Sequence, residues 1–196
     1  MRYEGWSRRR LEDELANNLF ARKGKALTNY TNKLALPHGL LANEVLKDPY
    51  VFDFLSLAEG YTEKQLEDAL AHNITRFLLE LGSGFAFVGR QMELRMPNGQ
   101  SYFPDMVFYH IKMRCYVVVE FMPEFAGKLN FYVTAADKLL RGDGDNPTVG
   151  LLICKTAKNT IVEWSLQDIN KPLGVATYQL EEVVERTVKE IEMRKN

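Results

Sequence analysis

The clearest helical pattern in the chain is YTEKQLEDALAHNITRFLLELG, residues 61–82. Leu66, Leu70, Ile74, Phe77, Leu78 and Leu81 recur at three- and four-residue intervals, so they share one face of a helix. Thr62 stands where an N-cap belongs, and Gly82 where the helix stops. The period then changes from 3.6 to 2. FAFVGRQMELRM (85–96) predicts a strand, and SYFPDMVFYH (101–110) the strand that returns. PNG (97–99) between them is a hairpin turn, because Asn-Gly supplies the positive φ a tight turn requires. IKMR (111–114) makes the next bend. CYVVVEF (115–121) is apolar on both faces, which predicts a central strand. Pro123 suits the first turn of a helix that runs to Leu140, and RGDGDNP (141–147) is a loop. TVGLLICK (148–155) is another buried strand. TIVEWSL (160–166) and GVATYQL (174–180) predict further strands, and 181–194 a charged amphipathic helix.

Upstream, SRRRLEDELANNLFAR (7–22) reads as a helix capped by Ser7, with Leu11, Leu15 and Leu19 at helical spacing. Arg8, Arg9 and Arg10 crowd its first turn, where the helix dipole disfavours positive charge. Residues 23–48, interrupted by Gly24, Pro37 and Gly39, read as a connector with one short helix, and DPYVFDFLSL (48–57) as a hydrophobic clasp. The order is a helix, three antiparallel strands, a helix, then strands again. It predicts an α/β (α+β) fold, a mixed sheet with helices on its faces. The chain divides into a helical basic segment, 1–47, and a sheet domain, 48–196.

The composition is globular: 46% of residues are hydrophobic, 26% are charged, and the net charge is −1. That balance points neither to disorder nor to a wholly basic nucleic-acid binder. Residues 1–33 are locally basic, with eight Lys or Arg against four Asp or Glu. Cys115 and Cys154 both adjoin apolar runs and read as core thiols, not as a disulfide or zinc site. No signal-peptide pattern opens the chain, and no apolar run reaches membrane-spanning length, so a cytoplasmic protein is expected.

Two carboxylates stand where apolar residues are expected. Asp105 lies inside a strand-like run, and Glu120 closes the valine strand. A lone carboxylate in an apolar sheet costs several kcal/mol unless something compensates it, and two on neighbouring strands also repel. A divalent cation with hard oxygen ligands, magnesium or manganese, relieves both costs and is able to activate water. Strand ends facing solvent, or pairing with Lys or Arg, are the structural alternative.

The ordered blocks YTEKQLEDAL, FLLELGSGFAFVGRQ, YFPDMVFYH, RCYVVVE, PEFAGKLNFY and LLICK resemble the YhcG C-terminal family of PD-(D/E)xK nucleases over residues 48–180. Residues 1–47 resemble the tail of the helical region that precedes that domain. The resemblance implies a restriction-endonuclease-like αβββαβ core with extra C-terminal strands and a helix. It implies a magnesium- or manganese-dependent endonuclease acting on DNA or RNA, with no membrane partner. Asp105 matches the PD aspartate, Glu120 the first residue of E-x-K, and Glu67 an acidic helix position that completes a metal shell. Arg90 and Gln91 fall in the GRQ block as substrate-binding candidates, and Gln91 also reads as a plain structural hydrogen bonder.

One departure matters. The family strand continues as E-x-K and then a short loop, before P-E-[YF]-A-G-K. Here VVVEF runs directly into MPEFAGK; position 122 is Met and there is no E-x-K lysine. Glu120 could instead match a residue just after the missing stretch, but the uninterrupted valine run argues for the strand-end ligand. Three readings of the gap are open. The loop is deleted and the protein is an inactive scaffold that binds nucleic acid or a protein partner. The natural protein carries residues there that this sequence lacks. Or Lys128 on the following helix reaches back to the site; its alternative is an i,i+4 partner of Glu124.

The remaining candidates have ordinary alternatives. His110 sits near a turn beside the Asp105 strand and either approaches substrate or is a turn histidine. Arg8, Arg9, Arg10, Arg22, Lys23 and Lys25 either grip phosphates or form a solvated basic face. Tyr102, Phe103, Phe108 and Tyr109 read as core more than as base-stacking platforms. A homodimer or oligomerisation module built on residues 7–22 and the terminal helix is a further class, though neither helix sustains a heptad pattern.

Overall fold

The structure, a computed structural model, describes residues 7–121, 126–156, 166 and 169–180. Its helices are α1 (Arg8–Ala16), α2 (Leu19–Arg22), α3 (Tyr30–Lys33), α4 (His38–Val45), α5 (Glu63–His72), α6 (Ile74–Leu81) and α7 (Ala126–Leu139). Its strands are β1 (Leu27–Thr28), β2 (Tyr50–Val51), β3 (Phe85–Arg90), β4 (Leu94–Arg95), β5 (Ser101–Tyr102), β6 (Met106–His110), β7 (Cys115–Glu120), β8 (Val149–Cys154) and β9 (Leu173–Gln179). The main sheet has the order β1-β9-β8-β7-β6-β3, and β2 also pairs with β9. The strands β3, β6 and β7 are antiparallel neighbours, while β7, β8 and β9 run parallel. Helices α5 and α6 lead into β3, and α7 makes the crossover from β7 to β8. This is the expected αβββαβ order, in a mixed α/β fold.

The valine strand is central, with β6 on one side and β8 on the other. Its side chains alternate between two cores because successive residues of a strand face opposite ways. Val117 and Val119 join Phe77, Phe108 and Leu66 on one face, while Val118 joins Leu129, Val133 and Leu152 against α7 on the other. Burial on both faces explains why the sequence shows a continuous apolar run. Gly150 on β8 lets α7 and Leu173 close on the sheet. A Cβ there would lie 2.2 Å from Leu173 Cδ2 and 2.9 Å from Val133 Cγ2.

Local signals act largely as expected. Thr62 caps α5: its Oγ1 accepts from Gln65 N at 3.3 Å, and its own N–H donates to Gln65 Oε1 at 2.7 Å, a capping box. The helix expected to run unbroken to Leu81 is interrupted at Asn73, whose Nδ2 donates to Ala69 O at 3.0 Å. A side-chain amide bonding the preceding turn competes with the helical ladder there. The strand expected over 85–96 ends at Arg90, because Gln91 takes a left-handed backbone, φ 46°. The chain then leaves the sheet as the small β4–β5 hairpin around the predicted Asn-Gly turn, and re-enters it at Met106.

The stretch 23–48 holds more structure than a connector with one helix: β1, α3 and α4. Leu27 and Thr28 pair with β9, and Tyr30 and Leu46 are buried in the core. Tyr30 donates to Gly150 O at 2.7 Å, which places this segment against the centre of the sheet. The terminal helix expected at 181–194 and the start of the helix at Pro123 lie outside the described residues. So does the strand expected at 160–166, apart from the buried Leu166.

Candidate active site

Sheet register sets the centre of the site. Met106 opposes Val119, so Asp105 and Glu120 stand at adjacent ends of β6 and β7. Each carboxylate accepts a hydrogen bond from the backbone of the other's strand end. Asp105 N donates to Glu120 Oε1 at 2.9 Å, and Phe121 N donates to Asp105 Oδ2 at 3.2 Å. These bonds orient the pair without neutralising it. Glu120 is fully buried, and its Oε2 accepts no hydrogen bond. Burial, followed by repulsion from Asp105, pushes the Glu120 carboxyl up to about 7. Burial, and next the Glu67 charge, raises Asp105 as well.

Helix α5 brings in the third carboxylate. Glu67 is buried, with Arg90 Nε at 2.6 Å and Gln91 Nε2 at 3.1 Å from its Oε1. The same Gln91 amide nitrogen donates to Asp105 Oδ1 at 3.3 Å. Arg90 also pairs with Asp68. Arg90 and Gln91, the substrate-binding candidates, thus bond carboxylates, which for Gln91 is the structural hydrogen-bonding alternative.

Lys128 on the first turns of α7 lies 3.5 Å from Glu120 Oε2 and 5.0 Å from the centre of the Tyr132 ring. It reaches the carboxylate pair from the helix, as one of the three readings of the missing lysine requires. Its proposed pairing with Glu124 lies outside the described residues. Tyr132 was not a candidate in the sequence, yet it stands beside Lys128 and donates to Phe103 O at 3.4 Å. The i,i+4 spacing of Lys128 and Tyr132 on one helix was the available signal.

The other candidates fall away from this centre. His110 is fully buried under Phe85 and accepts from Met113 N at 3.1 Å, a turn histidine that burial holds down at about 4. Arg22 is buried in an ion cluster with Glu14, Lys47 and Glu80, so it neither grips phosphate nor belongs to a solvated face. Phe108 is core, whereas Phe103 is 45% exposed two residues from Asp105. Cys115 and Cys154 are free buried thiols. No helix among the described residues is long and apolar enough to cross a membrane.

The donor set suits a hard divalent cation. It is all carboxylate, it includes the fully buried Glu120, whose Oε2 has only the Lys128 ammonium at 3.5 Å, and its negative charge is under-compensated. Among the described residues no three Asp, Glu, His or Cys side chains are already gathered as a metal cage. Glu67 is held by Arg90, and the Gln91 amide bridges it to Asp105.

The raised Glu120 carboxyl makes stability depend on pH. Between its ordinary value of 4.5 and about 7 the folded chain holds a proton that the unfolded chain releases. Stability from this group is therefore complete below 4.5 and is lost as pH rises through 7. The loss is on the order of 3 kcal/mol for a shift of this size. Glu120→Gln keeps an oxygen for Asp105 N and removes the charge. In EDTA it is expected to raise the melting temperature at pH 8 and to differ little from the parent at pH 4.5. Thermal denaturation at both pH values checks this, and an unchanged midpoint at pH 8 contradicts it.

In sequence the chain is similar to known nucleases. A profile of the YhcG PDDEXK nuclease domain matches residues 43–194. "Putative nuclease YhcG" of Escherichia coli (strain K12) is 29% identical over 187 residues, which cover 90% of this chain and 49% of that protein. The chain thus spans about half the length of that curated relative. A crystal structure of a repair endonuclease from Pyrococcus abyssi matches 64% of this chain and 50% of that one, with a TM-score of 0.40 and 16% identity. That likeness is too loose to assign anything. Nucleases of the PDDEXK class generally depend on a divalent metal. With the profile covering most of the sheet and the whole of the Asp105–Glu120 centre, this chain belongs to the YhcG PDDEXK nuclease domain family.

Proposed function

We propose that this chain is a divalent-cation-dependent nuclease that hydrolyses phosphodiester bonds in DNA or RNA. The observation that carries the reading is the under-compensated carboxylate pair at the adjoining ends of β6 and β7, with Glu120 fully buried and Asp105 half-buried beside it. Asp105 and Glu120 would hold magnesium or manganese, and Glu67 would complete the protein ligands. A divalent cation bound there supplies Lewis acidity toward a phosphate oxygen and lowers the pKa of bound water. The chain's own groups do the rest. Asp105 and Glu120 are fixed in direction by the two backbone amides. Lys128 sets a positive charge beside Glu120, where it offsets charge that develops on the attacked phosphate. In this reading Lys128 takes the part of the absent E-x-K lysine. Residues 48–196 form the nuclease domain.

Lys128→Met tests that assignment. It keeps the length of the side chain and removes the charge. The cleavage rate with magnesium is expected to fall on the order of a hundredfold, the scale of a lost transition-state donor. A rate unchanged by this substitution removes Lys128 from the mechanism.

A second reading rests on Met122, which stands at the position of the E-x-K lysine. It makes the chain an inactive nuclease fold that binds nucleic acid or a protein partner. Labelled single- and double-stranded DNA and RNA, offered with magnesium or manganese to a protein shown to be folded, decide between the two. Cleavage supports the first reading; intact substrate with retained binding supports the second.

A further inference from the structure

We infer that Gln91 is a positioning residue: its amide ties Glu67 to Asp105 and orients the two carboxylates that would hold a cation. The inference rests on the metal reading of the site and assigns Gln91 a role toward the ligands in place of one toward the substrate.

Three observations converge. The Gln91 Nε2 donates to Glu67 Oε1 at 3.1 Å and to Asp105 Oδ1 at 3.3 Å, so one amide joins a helix carboxylate to a strand carboxylate. The main chain is tied to the same residue, since Gln91 N donates to Asp105 O at 3.1 Å. The backbone is left-handed, φ 46°, at a position that is not glycine. A residue with this side chain meets a steric cost in that conformation, and such costs persist where the surroundings over-determine them. Here the conformation turns the chain out of β3 at the point where the amide must meet both carboxylates.

The charges explain why an amide serves. Glu67 already has Arg90 at 2.6 Å, and Glu67 repels Asp105 enough to help raise its carboxyl. A second cationic side chain at position 91 would fill the place of the cation. A carboxylate would add to the repulsion. A neutral amide donates to both oxygens and leaves the net negative charge intact. It is the kind of ligand-orienting partner whose loss weakens metal binding about 10- to 100-fold.

The test uses Gln91→Gly, which accepts the left-handed backbone and removes the amide, and Gln91→Glu, which restores a side chain but adds charge. Calcium and magnesium binding to the full chain would be followed by titration calorimetry, and cleavage by steady-state kinetics. For Gln91→Gly the expected result is cation affinity lower by about 10- to 100-fold, a fall in kcat at fixed cation, and an unchanged KM for nucleic acid. Gln91→Glu should melt below the parent in EDTA at pH 8 and recover when cation is added. Parent-like cation affinity in Gln91→Gly overturns the inference while leaving the nuclease reading in place. So does a rise in KM with kcat and cation affinity unchanged, which would put Gln91 on the substrate. A parent protein that binds neither cation overturns both readings.

Discussion

Asp105→Asn is expected to lower metal-dependent cleavage by about 100- to 1,000-fold, the scale of removing a group that fixes transition-state charge, without unfolding the protein. The reason lies in the two oxygens of Asp105. Oδ2 accepts from Phe121 N and Oδ1 from Gln91 Nε2, and an Asn side chain keeps only one acceptor and no charge. The sheet register and the buried valines around it do not depend on that charge. Removing one of two repelling carboxylates also relieves Glu120, whose carboxyl is held up partly by Asp105. The variant should therefore melt no lower than the parent in EDTA at pH 8, and magnesium should raise its midpoint less than it raises the parent's. Cleavage rate and thermal denaturation, each with and without magnesium, check the two halves separately. A variant that cleaves like the parent removes Asp105 from the centre. A variant that fails to fold makes Asp105 structural.

The second large effect falls outside the site. Glu80→Ala is expected to destabilise the fold by about 3–5 kcal/mol, the cost of breaking a buried ion pair. Glu80 is 8% exposed and accepts from Arg22 Nη1 at 2.6 Å, Lys47 Nζ at 3.2 Å and Val51 N at 2.8 Å. Without it, Arg22 and Lys47 remain buried with Glu14 as their carboxylate, at 3.7 and 3.5 Å. The cluster joins α1 and α2 to α6 and the β2 strand, so its loss should loosen the N-terminal helices first. For a chain of this size a loss of that order lowers the melting temperature by roughly 10 °C. Denaturant unfolding at neutral pH gives the number directly, and a change below about 1 kcal/mol would show that solvent already reaches the cluster.

Much of the fold was legible because its signals are local. The valine run predicts a strand covered on both faces, and β7 is covered by Phe108 and Phe77 on one side and Leu129 and Val133 on the other. Thr62 with Gln65 predicts the start of α5, and Asn98-Gly99 the hairpin. The Asp105–Glu120 pair was visible for the opposite reason: two charged residues interrupt patterns that otherwise bury. What was not legible is set by distant partners. Arg22 meets Glu80 across 58 positions, and no local period reports such a pair. A trace existed in Glu80 itself, which falls on the apolar stripe of its helix between Phe77 and Leu81. Gln91 is the other case. Its backbone breaks a strand that its neighbours' alternation favours, and the carboxylates that hold it there come from α5 and β6. Local preference lost to tertiary contact at that point, which is common where a site is built.

In the proposed function Asp105 and Glu120 form the cation centre of a nuclease. The most direct test is cleavage of labelled DNA and RNA by the parent protein in magnesium, in manganese and in EDTA, beside Asp105→Asn. Cleavage is expected to require a divalent cation, to stop in EDTA, to return when cation is restored, and to be slower in the variant by about 100- to 1,000-fold. Cleavage that persists in EDTA, or that runs at the parental rate in Asp105→Asn, would rule this centre out, as would intact substrate in every condition from a folded protein.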